Sequence, residues 1–213
     1  MTTLRICFVG DSITNGTNDE EFRGWPGRLC ETEKARGSDI SHYNLGIRAE
    51  TSEMIAARWR AECEPRLAFP HPGALVFSFG VNDMADFNEQ GIRVPLERSV
   101  AVARDMMSEA KAWKPVLWVG PAPVDDSQQP FQSAPTISFN FSTARLMELD
   151  EHYADLASEL DIPYLPVLKT LQANPEWQNS FIPGDGVHPT GKGYNLLAEL
   201  VADWPAWKDW FAS

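Results

Sequence analysis

Basic residues are scarce in this sequence. Its 213 residues include 18 lysines and arginines against 30 aspartates and glutamates, which gives a formal net charge of −12 at pH 7. Such a surface repels polyanions and offers little positive charge to neutralise phosphate groups. The composition therefore argues against nucleic acid and anionic membranes as partners.

Long apolar segments and cysteines are also scarce. No run of residues has the length and hydrophobicity needed to cross a bilayer, so membrane insertion is not expected. The segment MTTLRICFVG lacks the long apolar core and the cleavage site of a signal peptide. Cys7, Cys30 and Cys63 are odd in number and far apart, which favours free or buried thiols over a disulfide or zinc framework. These features predict a cytoplasmic protein.

Several glycine patterns are missing as well. The sequence contains neither G-x-G-x-x-G nor G-x-x-x-x-G-K-[ST], the phosphate loops of dinucleotide- and nucleotide-binding proteins. The G-x-S-x-G nucleophile elbow of the α/β-hydrolases is absent too, because Thr14 stands where its last glycine would be. Both classes of protein are therefore disfavoured.

Strand-like and helix-like segments alternate along the chain. Apolar runs that end at turn signals predict five strands, at residues 4–9, 40–45, 74–79, 115–120 and 163–168. Apolar residues at helical spacing predict helices within 24–37, 51–64, 95–113, 141–161 and 188–204. With 43% hydrophobic residues, the pattern predicts one α/β domain over 1–213, a parallel sheet covered by helices on both faces. In such a sheet the ligand site lies at the carboxyl ends of the strands.

The loop after the first strand reads GDSITNG and permits two interpretations. In one, Asp11 or Ser12 caps a short helix that starts at Ile13, since both residue types are favoured N-caps. In the other, the Ser12 hydroxyl is a nucleophile at a helix N-terminus, where backbone N–H groups meet a developing negative charge. The second interpretation requires a base.

Among the four histidines, His188 is the best candidate for that base. It belongs to GDGVHPTGKGY, in which Asp185 precedes it by three residues and Pro189 is expected to begin the last helix. Asp185 could simply cap this turn and leave His188 on the surface. Alternatively, Asp185 accepts a hydrogen bond from one imidazole nitrogen while the other nitrogen faces Ser12. The spacing permits both arrangements.

Acyl transfer to serine also needs donors for an oxyanion. Gly46 in NLGIR could offer its backbone N–H, because a residue without Cβ lets the chain approach a ligand closely. Asn82 in GVNDM could offer its side-chain amide. Each residue is equally typical of a turn when it is considered alone.

Together, these motifs resemble the SGNH hydrolases, also called the GDSL esterase/lipase family. GDSIT, NLGIRAET, GVND and DGVHP occur in the order and at the loop positions of that family, over nearly the whole chain. The resemblance implies a flavodoxin-like three-layer α/β/α sandwich with a central five-stranded parallel sheet. It implies hydrolysis of a small-molecule ester through an acyl-enzyme, without a metal or organic cofactor. The catalytic triad would be Ser12, Asp185 and His188. The oxyanion hole would consist of the backbone amides of Ser12 and Gly46 and the side chain of Asn82.

Residues outside these motifs bear on the substrate. Arg48 stands where many relatives have a small residue, so it either crowds the site or contacts a polar substrate. The loop 121–141 is long for a connection, which is typical of lids and rims. Phe131 and Phe139 in this loop either line the substrate rim or form the loop's own core. The net negative charge favours a small soluble ester over a lipid aggregate, and the sequence does not predict the oligomeric state.

Two other functions fit parts of the pattern. A metal-dependent phosphoesterase could use a hard-metal site formed at the strand ends by Asp11, Asp83, Asp185 and His188. That interpretation leaves the glycine of NLGIR and the asparagine of GVND without a special role. A catalytically inactive ligand-binding domain of the same fold is the second alternative, although binding alone would not need serine, aspartate and histidine together.

Overall fold

A sheet of five parallel strands runs through the centre of the computed structural model, which describes residues 2–212. In chain order the strands are β1 (Thr3–Gly10), β2 (Asp39–Gly46), β3 (Gly73–Ser78), β4 (Asp86–Phe87), β5 (Val116–Val119), β6 (Phe131–Ala134), β7 (Ile137–Asn140) and β8 (Tyr164–Leu165). The central sheet has the order β2-β1-β3-β5-β8, and each neighbouring pair is parallel. This is the strand order of a flavodoxin-like fold.

Helices cover both faces of this sheet. They are α1 (Ser12–Asn15), α2 (Gly24–Ala35), α3 (Ser52–Cys63), α4 (Leu96–Trp113), α5 (Thr143–Glu159), α6 (Leu168–Gln172), α7 (Pro175–Gln178), α8 (Gly191–Asp203) and α9 (Pro205–Asp209). Helices α3, α4 and α5 pack on one face, and α2, α8 and α9 pack on the other. The predicted three-layer α/β/α sandwich is thereby confirmed. Within residues 2–212, no helix is long and apolar enough to span a membrane.

Strand β1 shows why the sheet needs two helical layers. Successive side chains of a strand point to opposite faces. Cys7 and Val9 belong to the core shared with α3, α4 and α5, whereas Ile6 and Phe8 belong to the core on the other face. All four side chains are fully buried, and Phe8 meets Trp25 edge-to-face at 5.4 Å between ring centroids. A strand buried on both faces has a continuous apolar sequence, which is why its limits were predicted to within one residue.

Two predicted boundaries are wrong. The strand predicted at 163–168 ends at Leu165, because Pro166 has no N–H to donate to the sheet. The last helix begins at Gly191 rather than at Pro189, which instead forms an isolated β-bridge with the preceding segment.

A second, antiparallel sheet lies beside the carboxyl edge of the first. Its strand order is β4-β7-β6, so it joins the loop after β3 to the predicted irregular loop 121–141. Its strands are only two to four residues long and mostly exposed or half-buried. Such strands have little apolar alternation, which explains why sequence patterns did not predict them.

Candidate active site

The candidate nucleophile lies where β1 ends. Asp11 caps α1, because its Oδ1 accepts a hydrogen bond from the Ile13 N–H at 2.9 Å. Ser12 is therefore the first residue of the helix, and only 4% of its surface is exposed. Gly16 ends the helix in the left-handed region, with φ at +86°, which glycine adopts without strain. The predicted cap and the predicted nucleophile thus occupy the same short turn.

The Ser12 hydroxyl faces His188, 176 residues later in the chain, with Oγ and Nε2 2.9 Å apart. His188 Nδ1 lies 3.0 Å from each carboxylate oxygen of Asp185. The backbone N–H groups of Val187 and His188 donate to Asp185 Oδ1 at 2.9 and 2.8 Å. The three residues singled out in the sequence therefore form one hydrogen-bonded chain.

The charge of Asp185 is stabilised by these donors. Burial opposes ionisation, but the hydrogen bonds and charge of His188, together with the backbone N–H groups, outweigh it and hold the pKa at about 2, below the ordinary 3.8. Asp185 is consequently a carboxylate at neutral pH. A carboxylate at Nδ1 fixes the imidazole tautomer in which Nε2 accepts a proton.

The carboxyl end of β2 packs directly on the turn that carries Ser12. A Cβ on Gly46 would lie 2.2 Å from the backbone nitrogen of Asn15 and 2.6 Å from the carbonyl oxygen of Asp11, so only glycine fits. Asn44 secures this contact. Its Nδ2 donates to the Thr14 carbonyl at 2.8 Å, and its Oδ1 accepts the Gly46 N–H at 3.0 Å. The Gly46 N–H predicted for the oxyanion hole is thus directed at Asn44.

Asn82 reaches the site from the loop after β3. It is 5% exposed, and its side chain lies close enough to Asp11 to lower the pKa of that carboxyl. The next residue, Asp83, has two other hydrogen-bond partners. Asp83 Oδ1 accepts the Ser52 N–H at 2.7 Å, and Oδ2 accepts the Ser99 hydroxyl at 2.5 Å. These buried bonds anchor the loop that carries Asn82.

Asp11 is a buried carboxyl next to the candidate nucleophile. Burial raises its pKa to about 7, and the charge of Asp83 adds to the shift, while the Ile13 N–H opposes it. The folded protein therefore binds a proton here that the unfolded chain releases near pH 3.8.

Replacing Asp11 by asparagine is expected to increase stability at neutral pH relative to the wild type. Because the folded-state pKa is raised, the wild type loses stability as the pH rises from about 4 to about 7. Asparagine does not ionise, and its side-chain oxygen still accepts the Ile13 bond. The variant should gain on the order of 4 kcal/mol over the wild type across that range. Urea unfolding at a series of pH values measures the difference, and a difference independent of pH would contradict this assignment.

The predicted rim residues occupy different environments. Phe131 lies edge-on to the His188 ring, with 5.7 Å between centroids. Phe139 is 8% exposed, lies 5.2 Å from Phe87 between ring centroids, and belongs to the core shared with α3, α4 and α5. The rings of Phe87 and Phe139 line a cavity of about 390 Å³. Arg48 is exposed.

The long loop also braces the segment that carries the acid and the base. The Asp125 N–H donates to the Gly186 carbonyl at 2.8 Å, and Gln128 Oε1 accepts the Gly184 N–H at 2.7 Å. Both glycines have positive φ, at +64° and +86°, so the braced segment is a tight turn. The sequence predicts neither this contact nor the bonds of Asn44, because side-chain amides bond to distant backbone without a characteristic spacing.

The carboxylates of the alternative metal site have separate partners. Asp11 caps α1, Asp83 anchors the loop after β3, and Asp185 holds His188. In the part of the chain that the structure describes, no group of three or more His, Cys, Asp or Glu side chains is arranged to hold a metal ion. The metal-dependent phosphoesterase is therefore not favoured.

Fold and sequence similarity define a carboxylic ester hydrolase. Residues 8–196 match the GDSL-like lipase/acylhydrolase family, so the chain belongs to that family. The resemblance inferred from the four motifs is thereby confirmed.

Individual relatives agree with this assignment. The isoamyl acetate-hydrolyzing esterase of Saccharomyces cerevisiae is 25% identical over 208 residues, covering 91% of this chain and 82% of the relative. The lipase/acylhydrolase from Enterococcus faecalis has a similar structure, with a TM-score of 0.75 and 22% identity over 95% of this chain and 94% of that one. An acetylxylan esterase from Geobacillus stearothermophilus has a TM-score of 0.71 and 17% identity over 97% of both chains. The structural likenesses confirm the fold.

Proposed function

We propose that this protein hydrolyses small soluble esters through a covalent acyl-enzyme on Ser12. The observation that carries the proposal is the unbroken hydrogen-bonded chain from Asp185 through His188 to Ser12, with distances of 3.0 and 2.9 Å. All three side chains lie at the carboxyl edge of a parallel sheet, where this class of fold binds its ligands.

The geometry supports a two-step reaction. Ser12 Oγ attacks the ester carbonyl while His188 Nε2 takes its proton, and the Asp185 carboxylate stabilises the imidazolium. His188 then returns the proton to the departing alcohol. Water attacks the acyl-enzyme in the same way and releases the acid.

The oxyanion of the tetrahedral intermediate needs donors near Ser12. The backbone N–H of Ser12 lies in the first turn of α1, where it has no partner within the helix. The buried Asn82 amide supplies a second donor. We propose Gly46 as a third donor, whose N–H turns from Asn44 Oδ1 to the substrate, and the close packing of Gly46 on the nucleophile turn supports this role.

Short acyl groups suit this site best. Two relatives are named for acetyl esters, isoamyl acetate and acetylxylan. The net charge of −12 disfavours adsorption to anionic lipid surfaces. Phe131 beside His188 supplies one apolar wall against which a small acyl or alcohol group can pack.

A series of p-nitrophenyl esters tests the proposal. We expect kcat/KM to be higher for the acetate and butyrate than for the octanoate, and to be unaffected by EDTA. Mass spectrometry of acid-quenched enzyme should detect the acyl group on the peptide that contains Ser12. Turnover that EDTA abolishes, or an acyl adduct on another residue, would contradict the proposed mechanism.

A further inference from the structure

Asn18 connects the nucleophile's segment to the candidate acid. It follows α1 in the loop 16–23, and its Nδ2 donates to Asp185 Oδ2 at 2.9 Å, with the His188 carbonyl at 3.4 Å. Its φ is +69°, in the left-handed region, which asparagine tolerates better than most residues. Its backbone conformation therefore suits asparagine, and its amide reaches the triad.

This bond complements those that Asp185 receives within its own loop. Val187 and His188 donate their backbone N–H groups to Oδ1. Among the hydrogen bonds of residues 2–212, the bond from Asn18 is the one that reaches this carboxylate from outside its loop, and it goes to Oδ2. Rotation of a carboxylate about its last torsion is otherwise loosely restricted. Donors on both oxygens fix the plane of the group that His188 Nδ1 contacts.

Two further bonds join the same segment to the beginning of α8 without touching the triad. The Tyr194 hydroxyl donates to the Thr17 carbonyl at 2.8 Å. Glu20 Oε2 accepts the Gly191 N–H at 2.9 Å. Anchoring of the segment and contact with Asp185 are therefore separate functions, and they can be tested separately.

We propose that Asn18 is a positioning residue of the triad, whose amide holds the Asp185 carboxylate against His188 Nδ1 and ties the loop that carries Asp185 and His188 to the nucleophile turn. The proposal rests on the proposed acyl-enzyme function. It assigns to Asn18 a role in orienting Asp185 rather than in touching the substrate.

Two substitutions test this role. Asn18→Gly removes the amide and relieves the left-handed backbone. We expect it to lower kcat about 10- to 100-fold, with KM changed less than about threefold, because Asp185 loses a hydrogen bond that helps it to orient His188.

Asn18→Asp keeps the shape of the side chain but sets a second carboxylate against Asp185. It should lower kcat at least as much and move the acid limb of the kcat/KM profile to higher pH by about one unit, since added negative charge favours the imidazolium. Asp11, Asp19 and Arg48, whose charges act on the neighbouring Tyr194 together with that of Asp185, are the same in both Asn18 variants.

Tyr194→Phe is the matched control. It breaks the bond to Thr17 in the same segment but leaves Asp185 alone, so kcat should stay within about threefold of the wild type. Thermal unfolding verifies that the variants are folded. An unchanged kcat in Asn18→Gly, an unmoved acid limb in Asn18→Asp, or an equal loss in Tyr194→Phe would each overturn the proposal.

Ser12→Ala separates failure of this proposal from failure of the proposed function. If Ser12→Ala abolishes turnover while Asn18→Gly leaves kcat unchanged, only the role of Asn18 is wrong. If Ser12→Ala retains turnover, the acyl-enzyme function is wrong and the role of Asn18 falls with it.

Discussion

Replacing Ser12 by alanine is expected to lower kcat/KM for p-nitrophenyl acetate by about 10⁴- to 10⁶-fold. Alanine removes the attacking oxygen, and His188 loses the group from which it takes a proton. The turn itself should persist, because Asp11 still caps α1 through the Ile13 N–H. We therefore expect the free energy of unfolding to change by only about 1 kcal/mol, the usual value of one hydrogen bond.

Ser158→Ala is the matched control for that experiment. Ser158 is an exposed serine of α5, so its loss should leave both turnover and stability close to the wild type. Initial rates and urea unfolding of the two variants measure the contrast. Retained turnover in Ser12→Ala, with the fold intact, would show that another group attacks the ester.

The candidate triad could be predicted because fold topology and motif order agree. Parallel strands place the loops after them at one edge of the sheet, so Ser12 after β1 and Asn82 after β3 were expected to converge. The DGVHP motif added a base and an acid separated by three residues. In the structure, Ser12 Oγ and His188 Nε2 lie 2.9 Å apart, although 176 positions separate the two residues in the sequence. This contact depends on the predicted sheet.

The supporting contacts could not be predicted in the same way. Asn18 lies in a polar loop where asparagine is common for local reasons, and Asn44 lies within β2. Their bonds to Asp185 and to the nucleophile turn therefore have no sequence signature. The pKa of Asp11 is set by burial, which the sequence around it does not reveal. The tight turn at residues 184–186 is held by a side chain of the loop 121–141, whose short strands the sequence did not predict either. Each of these features depends on groups that are distant in the chain.

Replacing Asp185 by asparagine should lower kcat about 10⁴-fold while leaving the residue's shape unchanged. The asparagine oxygen can still accept the backbone N–H groups that bond Oδ1. Its NH₂ group would then occupy the position of Oδ2, where it opposes the Asn18 amide and lies as close to His188 Nδ1 as the retained oxygen. The imidazole can relieve that conflict by moving its proton to Nε2, which makes it a donor to Ser12 and useless as a base. The expected loss is therefore in kcat rather than in KM, and initial rates across substrate concentrations measure it.

The same substitution should also cause a pH-dependent loss of stability, which tests whether the fold stabilises the charge of Asp185. The pKa of Asp185 is lowered from 3.8 to about 2, so its stabilising contribution is present above pH 4 and disappears as the pH falls towards 2. Asp185→Asn should be less stable than the wild type by about 2 kcal/mol at neutral pH and should approach it in acid. Asp203→Asn, which removes an exposed carboxylate of α8 paired with Lys208, is the control and should change stability by less than about 1 kcal/mol. A normal kcat together with the pH-dependent loss of stability would make Asp185 a structural carboxylate and leave His188 to act without it. Loss of kcat together with the stability change supports the orienting role on which both the triad and the role of Asn18 depend.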